Sequence, residues 1–139
     1  MRCSVGLLYA LIHELGMREP EKGGIIGGKD GLATHFYYDA FASTSRNFYT
    51  PDVRVLNHVL RDWAKDGIML MGIAHSHQGE YGSLSTLDIQ CARTVLAANP
   101  FLKELEFPIL LPESKEKWIV SYCVDRKSVR KSKLYFYDT

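Results

Sequence analysis

The sequence predicts an α+β (mixed α/β) fold, a mostly antiparallel sheet with helices packed against it, and three observations carry that prediction. Helical patterns and short β-rich runs follow one another without the strict alternation of a parallel sheet. A hairpin signal joins the first two strand-like runs. The last third of the chain is a succession of strand-like segments with no helix between them. A length of 139 residues suits a single domain, 1–139, with one core.

Along the chain, Val5, Leu8, Ile12 and Leu15 fall on one helical face, and His13-Glu14 interrupts the apolar run. With no small-x-small cleavage site following, this is an amphipathic first helix and not a leader. It should end at Gly16, with Pro20 preventing its continuation. Gly23-Gly24-Ile25-Ile26-Gly27-Gly28 suits a short buried strand with close backbone neighbours, and Asp30-Gly31 turns the chain back through Leu32 to Tyr38. Residues 40–49 show no clean period and read as a loop or irregular edge.

Thr50 as N-cap, Pro51 and Asp52 announce a helix that Gly67 ends, its stripe being Val53, Leu56, Val59, Leu60 and Trp63. Ile68 to Ala74 is almost continuously apolar, as a central strand buried on both faces would be, and it delivers His75 at its end. Ser85 to Ala98 reads as a third helix, stopped by Asn99-Pro100. Strand-like runs at Phe107–Leu111, Trp118–Val124 and Leu134–Tyr137 complete the chain.

Composition excludes several functions. A net charge of +1 gives no reason to expect nucleic acid as a partner, and Arg126 to Lys133, with Lys127, Arg130 and Lys131, reads as a solvated turn. No run reaches the roughly 18 apolar residues that cross a bilayer, so no membrane partner is expected. Cys3, Cys91 and Cys123 are odd in number and lack a Cys-x-x-Cys pair, which argues against disulfides or a thiolate zinc site and for a reducing, cytoplasmic location.

The chemistry concentrates at the end of the central strand. In extended chain, residues i and i+2 point to one side, so His75 and His77 can approach a single ion. A loop then leads into the third helix, whose first turn carries Asp88 as a third ligand. Two histidines and a carboxylate suit a catalytic zinc with a position left for water. Ser85-Thr86-Leu87-Asp88 also has the form of a helix capping box. A hydrolytic site needs a proton acceptor that is not a ligand, and Glu21 is a candidate alongside Glu14, Glu19 and Glu80.

Two separate segments together resemble the JAMM (MPN-plus, JAB-domain) zinc metallopeptidases. One is His-x-His, seven residues, Ser, two residues, Asp, met by His75, His77, Ser85 and Asp88; the other is Glu-x-x-Gly-x-x-x-Gly, met by Glu21, Gly24 and Gly28. The order of elements is similar to the family core over nearly the whole chain. The resemblance implies a curved sheet of the cytidine-deaminase-like JAB/MPN type and one zinc ion, held by His75, His77 and Asp88. It selects Glu21 as the general base on the attacking water and gives Ser85 the role of hydrogen-bond donor to the oxyanion.

The compact chain resembles small stand-alone bacterial or phage members. By the same resemblance the substrate would be a ubiquitin-like or sulfur-carrier protein, cut after its C-terminal glycine in a pathway that also holds an activating enzyme. A non-catalytic MPN scaffold, or a zinc hydrolase of small amides or cell-wall peptides, are the alternatives. Phe41, Phe48 and Tyr49 are candidates for the substrate surface. Gln78 stands where the family commonly has proline, beside the substrate channel.

Overall fold

In a computed structural model of the chain, residues 1–40, 42–45, 48–79 and 82–138 are described, the side chains of 43–45, 48 and 49 excepted. The first strand, β1 (Arg2–Ser4), runs into helix α1 (Val5–Leu11), where the Ser4 side chain caps the helix by accepting from the Leu7 N–H. The helix continues as a π turn, Ile12–Gly16. Its fully buried stripe is Leu7, Leu11 and Leu15, where the periodicity placed Val5, Leu8, Ile12 and Leu15. The three buried leucines stand four apart on one helical face, displaced by one residue from the Leu8–Ile12 face. Each buried leucine stabilises the fold by about 2 kcal/mol.

The glycine strand is β2 (Gly23–Lys29), and it turns at Asp30-Gly31 into β3 (Leu32–Tyr38). Asp30 and Gly31 have φ of 52° and 76°, the left-handed pair that a two-residue hairpin turn demands. The segment read as a loop contains a small hairpin, β4 (Ser43–Ser45) with β5 (Phe48–Thr50). Helix α2 (Val53–Lys65) starts two residues later than the sequence suggested, because Thr50 is held in β5 and Asp52 is the cap, accepting from the Val55 N–H. Within its stripe Leu56 is buried, but Val53 is exposed in the first turn.

The central strand, β6 (Met69–Ser76), carries His75 within it, and α3 (Thr86–Ala98) follows. Three of the closing strands are β7 (Glu104–Leu110), β8 (Ile119–Asp125) and β10 (Tyr135–Tyr137). Between the last two lies β9 (Val129–Ser132), inside the basic stretch read as a turn. Its residues pair with β8 through main-chain groups, which ask nothing of the side chains, and no apolar alternation marks it.

These strands form one eight-stranded sheet in the order β10-β1-β3-β2-β6-β7-β8-β9. The β2–β3, β2–β6, β7–β8 and β8–β9 pairs are antiparallel, while β1–β3, β1–β10 and β6–β7 are parallel. Because β9 and β10 are consecutive in sequence yet occupy opposite edges, the sheet curls until its edges lie near each other. Side chains alternate between two cores: Ile25, Ile73 and Phe107 face α2 and α3, while Ile26, Ala74 and Leu110 face α1. His75, two residues from Ile73, therefore points toward α3. None of the described helices is long and apolar enough to cross a membrane.

The glycines of β2 set how closely its neighbours pack. A Cβ on Gly24 would lie 2.0 Å from the Tyr37 carbonyl oxygen, and one on Gly28 would lie 2.0 Å from that of Leu32. Neither neighbour is a flexible side chain that can swing aside. Gly24→Ala should therefore cost about 2–3 kcal/mol in stability, the upper range for overpacking, and urea denaturation should show the midpoint fall with little change in m.

Candidate metal centre

Three elements bring the predicted site residues together. The end of β6 supplies His75 and His77; the segment entering β2 supplies Glu21; and the first turn of α3 supplies Asp88. All four are buried. The imidazole Nε2 atoms of His75 and His77 are 2.7 Å apart, and the His75 ring stands edge-on to Phe107, centroids 4.9 Å apart. Asp88 Oδ2 lies 3.3 Å from His75 Nε2 and 3.5 Å from His77 Nε2. Glu21 Oε2 is farther out, 3.9 Å from His77 Nε2. Glu21, His75 and His77 also offer ligand atoms within 4.8 Å of one another.

These positions fit a zinc ion. Zinc bonds of about 2.0–2.2 Å in a tetrahedron put neighbouring ligand atoms about 3.3–3.6 Å apart, the spacing Asp88 Oδ2 keeps to both imidazoles. Only the two histidine nitrogens, 2.7 Å apart, are closer than that. Geometry favours Asp88 over Glu21 as the third ligand, since Asp88 meets both edges while Glu21 stands off at 3.9 Å.

The capping box foreseen at the start of α3 is present. The Asp88 N–H donates to Ser85 Oγ at 3.1 Å, and the Ser85 N–H donates to Asp88 Oδ2 at 2.9 Å. The same carboxylate oxygen that faces the imidazoles thus accepts a main-chain bond, so the capping and ligand readings are one arrangement. The Ser85 hydroxyl, as acceptor from the Asp88 N–H, keeps its own O–H for donation.

Electrostatics separates the two carboxylates. Burial pushes the Asp88 carboxyl up, but hydrogen bonds from His75 and His77, the His75 charge and the Ser85 N–H reverse this and hold it well below the usual carboxylate range. Burial raises Glu21 to about 7, against the lowering effects of His77 and of a hydrogen bond from the Gln78 main-chain N–H; the Asp88 charge adds to the rise. Burial also lowers His75, opposed by Asp88, which favours the neutral imidazole that a metal ligand requires. One carboxylate is thereby set as a permanent anion and the other as a group that exchanges a proton near neutrality.

Gln78 is exposed, and its contribution at the site is a main-chain donor that a proline could not supply. Phe41 and the side chains of Phe48 and Tyr49 lie outside the described residues. Ser76 was not singled out from the sequence, although it is fully buried between the two histidines and bonded to the main chain of Lys22. Its side chain points away from the histidines, and only the pairing of β2 with β6 reveals its partner.

No family model and no curated protein matches the sequence. Solved structures do, and they show that the chain has a JAB1/MPN-like, or JAMM-like, fold. Among them is a protein from Desulfitobacterium hafniense, 19% identical, with a TM-score of 0.75 over 99% of this chain and 93% of that one. A JAB1/MPN domain protein from Archaeoglobus fulgidus is 18% identical, with a TM-score of 0.60 over 99% of this chain and 100% of the other. A structure described as JAMM, a metalloprotease-like zinc site in the proteasome and signalosome, is 16% identical, with a TM-score of 0.57 over 99% and 98% of the two chains.

The raised Glu21 carboxyl has a consequence for stability. A carboxyl whose folded value lies above its unfolded one stabilises the fold least where it must ionise. Glu21's own contribution to the stability of the metal-free protein should thus decline as pH rises from about 4.5 to about 7 and stay level above, while the lowered His75 acts in the opposite sense as pH rises toward 6.5. Glu21→Gln removes that penalty. Thermal melts of the metal-free proteins should show the variant gaining on the parent across this window and holding its lead at pH 8.

Proposed function

We propose that this chain is a zinc metallopeptidase of the JAMM type, hydrolysing the peptide or isopeptide bond after the C-terminal glycine of a ubiquitin-like or sulfur-carrier protein in the cytoplasm. The observation that carries the reading is the placement of one Asp88 oxygen at 3.3 and 3.5 Å from two imidazole nitrogens, with a second carboxylate, Glu21, just beyond. A zinc ion bound by His75, His77 and Asp88 supplies Lewis acidity and makes water a nucleophile at neutral pH.

The chain's own residues do the rest. Glu21, 3.9 Å from His77 Nε2 and outside the ligand set, would accept the proton of the attacking water and return it to the nitrogen as the C–N bond breaks. Ser85 directs its O–H at the oxygen on which charge develops. Asp88 stays anionic throughout, and the buried walls restrict bulk water. The substrate and the pathway with an activating enzyme are inferred from the resemblance of the sequence motifs to the JAMM family.

The purified protein should bind one equivalent of zinc, measured by elemental analysis, and Asp88→Ala should lose most of it. Glu21→Ala should keep the zinc and reduce turnover by a factor of 10² or more. Ubiquitin-like proteins with short C-terminal extensions should be trimmed at the glycine, as mass spectrometry would detect. Absence of stoichiometric zinc, or full activity in Glu21→Ala, overturns the reading; cleavage of short unrelated peptides alone overturns the substrate class.

A further inference from the structure

Ser76 lies between the two histidines and on the opposite side of β6, fully buried. In the antiparallel register Gly23 faces His75, so Ser76 faces Lys22, the residue directly after Glu21. A hydrogen-bonded pair at this place would exchange N–H···O=C bonds in both directions. Here only one is made by main chain alone: the Ser76 N–H donates to the Lys22 carbonyl at 2.8 Å. The other is supplied by a side chain. The Lys22 N–H donates to Ser76 Oγ at 3.1 Å, and the Ser76 hydroxyl in turn donates to the Lys22 carbonyl at 3.4 Å.

The Lys22 N–H belongs to the rigid peptide plane that begins at the Glu21 Cα. Fixing that plane fixes the position of the Glu21 Cα and the axis about which its ψ turns, which limits the paths along which the Glu21 side chain can leave the backbone. We propose that Ser76 is a positioning residue for Glu21: its hydroxyl locks the Glu21–Lys22 peptide to the strand that carries both histidines, so that base and ligands move as one body. The backbone of the same segment is itself anchored. The His77 N–H donates to the Leu110 carbonyl at 2.9 Å, and the Gly79 N–H donates to Glu113 Oε1 at 2.7 Å. Ser76 thus transmits a fixed frame to a residue on the segment that enters another strand.

This inference rests on the hydrolase reading, and the experiment separates the two. Ser76→Ala and Ser76→Thr are compared with the parent by zinc content, thermal melting, kcat and KM on an extended ubiquitin-like substrate, and hydrogen exchange of the Lys22 amide. Ser76→Ala should bind one equivalent of zinc, exchange the Lys22 amide at least tenfold faster, and lose about 10- to 100-fold in kcat with KM within about twofold. Ser76→Thr, which keeps the hydroxyl, should restore part of the kcat.

Unchanged kcat in Ser76→Ala overturns the proposal, as does loss of zinc or of the fold in step with activity, because Ser76 would then support the metal strand and not Glu21. If the zinc-loaded parent cleaves nothing, the hydrolase reading fails by itself. The positioning role then stands or falls on structures of Ser76→Ala and the parent: a Glu21 carboxylate that moves away from His77 supports it, and an unmoved one refutes it.

Discussion

Four ionisable side chains share a small volume from which water is largely excluded, and the cost of keeping them there organises this protein. An isolated buried charge is expensive, so each group must be neutral, paired or hydrogen-bonded. Asp88 meets that condition with two imidazoles and the N–H of Ser85; Glu21 meets it with His77 and the Gln78 N–H, and by a readiness to take up a proton. Such an arrangement holds only if the three contributing segments are fixed with respect to one another. The sheet supplies that rigidity, since β2 and β6 are adjacent strands and α3 packs over the face toward which His75 points.

Close packing around β2 serves the same end. Gly24 and Gly28 let the backbones of β3 approach to distances that any side chain would forbid. The Glu21 segment thereby enters a strand clamped on both sides, by β3 and by β6. Ser76 adds a side-chain bond at the point where the β2–β6 ladder ends. The glycines and the serine carry no ionisable group, yet they hold the backbone from which Glu21 and the histidines project.

Much of this was legible in the sequence where local chemistry and tertiary structure agree. Asp30-Gly31 names its hairpin because only a left-handed pair makes that turn, and the spacing from His77 to Asp88 names the site because it sets the loop and the first helical turn. The misses occur where main-chain pairing or docking, and not composition, decides. Strands β1 and β9 are short and obtain their structure from neighbours' main chains, so composition does not announce them. Thr50 is a good cap that β5 claims first, leaving Asp52 to begin α2. The buried line of Leu7, Leu11 and Leu15 has helical spacing too, and only docking against the sheet selects it over Leu8 and Ile12. Ser76 illustrates the limit most clearly, since its meaning lies in Lys22, 54 residues away.

The curl of the sheet also constrains how the molecule can assemble. Strand β1 is held between β3 and β10, so Cys3 pairs with Phe136 almost a full chain length away. Closing so long a loop is entropically costly before any contact rewards it, and non-local pairings of this kind slow folding. The hairpin of β2 and β3 can form from nearby residues, whereas the final docking of β1 and α1 must wait for the C-terminal strand. During synthesis, the apolar face of α1 would stay without its complete cover until Tyr135–Tyr137 have been made.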